Sequence, residues 1–175
     1  MRRKGSRSAG ILIAGTILTA ATFVGTSAIA REQSRPLSAD GTTELVLSEP
    51  AGRPAVRVVV TQSKLESSFP YKAALEWGGD DDVPPRHVLT SILVQEGALK
   101  VWVPLSAFGD LGNAKSASLT HTPKGFLLSI HGGDTASAYD AKLVFFHRNL
   151  TERTVALREM PNDRQETTKY KFPPR

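Results

Sequence analysis

The chain has 175 residues, no cysteine and a formal net charge of +5. Without cysteine it has no disulfide, no thiol nucleophile and no cysteine-bearing metal site. Four of its 22 basic residues (Arg2, Arg3, Lys4, Arg7) fall in the first 30 positions, which hold no acid, so 18 basic residues meet 17 acidic ones in the remainder and the charge makes no case for a nucleic-acid partner.

Those first 30 residues read as an export signal. The basic cluster is followed by 22 uncharged residues, Ala9 to Ala30, ending in the small-residue pattern Ala28-Ile29-Ala30, which predicts cleavage before Arg31. The same stretch is long enough to span a bilayer if retained, so a membrane association is expected only through an uncleaved N-terminal segment. No cysteine follows it to carry a lipid. The expected location is outside the cytoplasm, periplasmic or secreted.

Residues 31–42 are polar and lack periodicity, and are expected to be a flexible lead into a single β-sandwich domain over 43–175. From there, alternation with period two predicts strands. "AVRVVVT" (55–61) is rich in β-branched residues, and "YKAALEW" places Tyr71, Ala73, Leu75 and Trp77 on one face. A turn at Glu96-Gly97 would pair Val94 with Leu99 and Ile92 with Val101. "PLSAFGDLG", opened by Pro104 and closed by Gly112, is the one short helical turn. "HTPKGF" suits a type I turn with Pro123 second and Gly125 fourth, pairing Leu119 with Leu128 and Ala117 with Ile130.

A third hairpin with Asp134-Thr135 at its tip would pair Ile130 with Tyr139 and Leu128 with Ala141. "TERTVALRE" returns antiparallel, and matching Leu143 to Val155 there needs a bulge or a three-residue loop. "TTKYKF" alternates Thr168, Tyr170 and Phe172 against Thr167, Lys169 and Lys171. About eight to ten short strands with one helical turn predict an all-β, antiparallel β-sandwich or jelly-roll-like barrel.

The residues with chemistry to offer fall in four groups. On the outward face of the second and third hairpins, the registers gather Ser116, Ser118, Ser129, His131 and Asp140. Ser118, His131 and Asp140 are the parts of a nucleophile–base–orienter set, and also what a solvated sheet face is made of. The run Asp80-Asp81-Asp82, with Asp134 if the two Gly-Gly-Asp loops share an end, could supply oxygens to calcium, although the spacing is not that of an EF-hand. The four histidines show no zinc spacing, and His121 is expected opposite Phe126, at the mouth of the core. Trp77 reads as core. Trp102 points away from Val101 and is either covered or part of an exposed platform for sugar or peptide. Asn149-Leu150-Thr151 forms a glycosylation sequon, relevant only in a eukaryotic host.

No cofactor is expected beyond calcium at those aspartates. The leading expectation is an exported, non-catalytic binding or interaction module. Its ligand would be carbohydrate or another exported protein, bound through Trp102, Ser129, His131 and Asp140. The alternatives are a hydrolase or calcium-dependent module using His131, Asp134 and Asp140, and a structural envelope protein.

Overall fold

The computed structural model describes residues 32–48, 53–66 and 84–172. The N-terminal segment, the expected strand at Tyr71–Trp77 and the aspartates at 80–82 lie outside the described residues. Among these residues there are ten strands: β1 (Gln33–Pro36), β2 (Gly41–Leu47), β3 (Val56–Lys64), β4 (His87–Glu96), β5 (Leu99–Val101), β6 (Ala114–Thr122), β7 (Gly125–Gly132), β8 (Tyr139–Phe146), β9 (Asn149–Leu157) and β10 (Arg164–Lys169). They form two antiparallel sheets, one ordered β1-β6-β7-β8-β9-β10 and one ordered β2-β3-β4-β5. The all-β, two-sheet expectation holds.

Alternation builds the core. Val56, Val58 and Val60 of β3 and Ile92 and Val94 of β4 meet Ala117 and Leu119 of β6, Phe126, Leu128 and Ile130 of β7, and Tyr139, Ala141, Leu143 and Phe145 of β8 in one buried cluster. Phe126 and Phe145 stack with centroids 4.4 Å apart, a contact that adds about 1 kcal/mol beyond area burial. Gln62 of β3 is the polar link between the sheets. It is 2% exposed; its amide nitrogen donates to Ala114 O (3.2 Å) and its amide oxygen accepts from Ala114 N (3.1 Å).

The β6–β7 hairpin has the expected register, with Leu119 opposite Leu128 and Ala117 opposite Ile130. Two other hairpins sit two residues from expectation. In β4–β5, Val94 faces Val101 and the tip is Gly97-Ala98. A tip at Glu96-Gly97 would ask for positive φ at a glutamate. Placing Gly97 (φ +60°) first satisfies a type II′ turn. In β7–β8, Ile130 faces Ala141 and Leu128 faces Leu143. Here a 3-10 turn at Thr135–Ser137 consumes the residues a tight turn would have left in the strands; Ser137 Oγ donates to Asp134 O (2.7 Å) and holds it. Tyr139 then lies against Gly132, where an added Cβ would fall 2.3 Å from the phenol oxygen. Both shifts are even, so every inward residue stays inward.

Two further expectations are corrected. Residues 31–42 are not a lead alone: β1 lies within them and pairs β6 from Gln33–Leu119 to Pro36–Ser116. It carries no alternation because three of its four side chains are exposed; backbone pairing and the packing of Leu37 on the core recruit it. At the β8–β9 hairpin, Leu143 faces Arg153 rather than Val155. The tip is His147-Arg148, with both residues at positive φ (+47° and +64°), and a bulge follows between Val144 and Phe145.

The six-stranded sheet is wider than its partner. Beyond β5 the chain crosses its inner face as the 3-10 turn Leu105–Ala107, burying Ala107, Phe108 and Leu111. This is the expected helical turn, shortened. It brings Asp110 to the inward side chain of Arg153 on β9.

Candidate functional site

The polar face is the outer face of β6, β7 and β8. One row runs Ser116–His131–Asp140 across the three strands. His131 Nδ1 lies 2.6 Å from Asp140 Oδ1, and Arg158 reaches the same oxygen through Nη2 (3.2 Å) and Nε (3.3 Å). Burial works against the Asp140 charge, but the hydrogen bond from His131 and then Arg158 outweigh it and hold the carboxyl below its ordinary value. With Nδ1 donating to the carboxylate, Nε2 is left as the base position, the arrangement a catalytic histidine needs.

The serines do not complete it. Ser118 and Ser129 face each other one row away and are nearly buried, at 5% and 8% exposure. Ser129 faces Lys142, not Asp140, because of the two-residue shift in β7–β8. Among the described residues, no serine or threonine hydroxyl hydrogen-bonds His131. The orienting half of a triad is present without its nucleophile. Asp134 is exposed, caps the 3-10 turn and pairs with Lys115. Among the described residues no three His, Asp or Glu side chains gather as a metal site.

Trp102 is on the exposed side of the alternative left open by the sequence. The β4–β5 register, continued by one residue, sets it beside Leu93, and Leu93 faces Val59 of β3, which in turn faces Glu44 of β2. Trp102 is 66% exposed and Leu93 64%. Phe172, beyond β10, meets the indole edge to face at 6.2 Å. The neighbouring charges are Glu44 and Arg57, paired in a two-pronged bridge (2.7 and 2.9 Å), and Lys100, which faces Gln95. No family model, curated protein or solved structure matches the chain.

The two candidate surfaces belong to different sheets. The Trp102 row is on the outer face of β3–β5 and the His131 row on the outer face of β6–β8, so a single ligand spanning Trp102, Ser129, His131 and Asp140 has no common surface to bind.

One cluster escaped the sequence reading. Arg153 is 2% exposed and pairs with Glu166 of β10 and with Asp110 Oδ2 (2.5 Å). Thr168 donates to Glu166 (2.5 Å). Burial opposes the Arg153 charge, yet Asp110 and Glu166 raise its pKa on balance. Asp110 Oδ1 and Arg153 Nε are buried without partners among the described residues. The parity of "RTV" carries the missed signal: Arg153 is two residues from inward Val155 and therefore shares its face.

Proposed function

We propose that the chain is an exported binding module that docks another protein on the outer face of its four-stranded sheet. The observation that carries this reading is the adjacent pair Trp102 and Leu93, both about two-thirds exposed. A tryptophan with aliphatic neighbours in a solvent-facing row is the composition of an interface centre. Leu93, Val59 and Val46 extend an apolar surface from the indole, and that continuity favours a protein contact over a sugar, whose hydroxyls would have to reach the flanking Ser91, Gln95 and Lys100. Glu44 and Arg57 neutralise each other at one end of the row, which leaves Lys100 as the local charge. The partner this fits has an apolar centre and an acidic rim.

The test compares the wild-type chain with Trp102→Ala/Leu93→Thr as baits in the exported fraction of the host, followed by a titration of the purified partner. The double substitution abolishes capture and weakens the titrated affinity at least about thirty-fold, as loss of a hot-spot aromatic does. Unchanged capture removes this face from the account, and a Trp102-dependent polysaccharide replaces the protein partner.

A second reading, a hydrolase, rests on the oriented His131–Asp140 pair at 2.6 Å. It requires a hydroxyl or water at Nε2. If His131→Ala abolishes an ester- or amide-cleaving activity of the pure protein, this reading displaces the first.

A further inference from the structure

A cleft of about 430 Å³ opens at the end of the sandwich where β3 begins and the β6–β7 and β8–β9 hairpins turn. That is the size of a small-molecule site. Its apolar lining includes the core residues Val56 and Phe126, 2% and 1% exposed. One wall is basic: Arg53 and Lys124 carry the charge, and His121 and His147 add imidazole nitrogens. Among the described residues Glu96 is the single acid lining the cleft, and it comes from the opposite sheet. Among the described residues none of the four basic side chains is paired with a carboxylate.

Arg53 is fixed in place. Its Nη1 donates to Thr122 O (2.5 Å) and its Nη2 to Pro123 O (2.8 Å). Neutral carbonyls leave its charge uncancelled and its remaining N–H groups available. His121 is anchored through Nε2 to Ser48 O at 3.3 Å. Lys124 rests above the Phe146 ring, 5.7 Å from the centroid, and the same ring packs against His147. Arg53 and His121 are thereby pre-positioned, which lowers the ordering cost of binding, and Lys124 stands at the rim shared with the neighbouring hollow.

We propose that this cleft binds a small amphiphilic anion, with its apolar body against Pro54 and Pro123, above the buried Val56 and Phe126, and its anionic head on the side of Arg53, His121, Lys124 and His147. The site is independent of the Trp102 face, which lies on the outer surface of the four-stranded sheet. The chemistry is that of a carboxylate or phosphate on an apolar chain or ring; neutral molecules and bare anions each satisfy half of it.

The test uses three probes, decanoate, decanol and inorganic phosphate, in calorimetric and NMR titrations of the protein. Decanoate shifts the His121, His147 and Gly125 resonances and binds at least about ten-fold more tightly than either other probe, as expected for one charge-assisted contact set. Lys124→Gln/His147→Asn weakens decanoate about ten-fold or more and leaves decanol unchanged. Asparagine tolerates the positive φ at 147, and a melting curve confirms that the variant folds. If it does not, Lys124→Gln alone, at an exposed turn, serves. Glu96→Gln tightens decanoate. The proposal is overturned by no saturable decanoate binding, by decanol or phosphate binding as tightly, by an unchanged affinity in the variants, or by shifts centred on Val144 and Thr151. These last two residues line the neighbouring apolar hollow across Lys124.

Discussion

Replacing Arg153 by methionine tests whether the C-terminal strand is held by charge. Arg153 sits between Leu143 of β8 and Thr168 of β10 on the inner face. Its two partners come from different parts of the chain, Asp110 from the crossing segment and Glu166 from the edge strand. Removing one member of a fully buried ion pair costs about 3–5 kcal/mol because the other charge is stranded. Here the Asp110 and Glu166 side chains are 35% and 41% exposed, so water reaches both carboxylates in part, although Asp110 Oδ1 is buried, and the cost falls to about 2–3 kcal/mol. Methionine retains most of the aliphatic stem, so little of that is packing. Urea unfolding reads it as a lower midpoint at an unchanged slope. Adding Asp110→Asn and Glu166→Gln removes the stranded charges and returns stability to within about 1 kcal/mol of wild type. A single variant as stable as wild type, or a triple variant no better than the single, refutes the argument.

Other consequences are as direct. Burial works against the Glu166 charge, but the hydrogen bonds from Thr168 and Arg153 hold its carboxyl below the usual 4.5; its contribution is therefore full above about pH 4.5 and lost as pH falls through the lower folded value. Glu166→Gln should flatten that acid limb, measured as unfolding midpoint between pH 6 and about pH 3; an identical pH profile in both proteins counts against the pair. Gln62→Leu strips the partners from Ala114 N and O, both inside the sandwich, and should cost about 2–3 kcal/mol in the same urea assay; a neutral result means water replaces the amide. Gly132→Ala forces the Tyr139 ring aside and should cost about 1–3 kcal/mol, with the hydrogen bond from Tyr139 to Gly112 O (2.9 Å) weakened; near-UV circular dichroism of the tyrosine reports the displacement.

How much of this was legible in the sequence follows from parity. Alternation places a residue on a face, and a face survives any even slip. Leu128, Ile130, Ala141 and Leu143 are therefore inward under both the expected and the observed pairing of β7 and β8. The identity of each cross-strand neighbour depends on the turn. Glu96-Gly97 and Asp134-Thr135 suit a turn by composition, but the chain turns where positive φ falls on Gly97 and where Ser137 can close on Asp134. This is why the His131 row was legible and its partners only in part. His131 and Asp140 are adjacent instead of diagonal, and Ser129 loses the aspartate to Lys142.

What parity cannot show is where one sheet outruns the other. Four strands oppose six, so the inner faces of β9 and β10 meet the crossing segment in place of a fifth strand. A sandwich closed by two full sheets would make Arg153 a buried error. Against a segment that delivers Asp110, and beside an edge strand whose inward positions are Glu166 and Thr168, it is the side chain that ties the two together. β10 puts no aliphatic side chain into the core cluster. Its attachment is by backbone pairing and charge, the two terms that an edge strand can release without exposing a hydrophobic core.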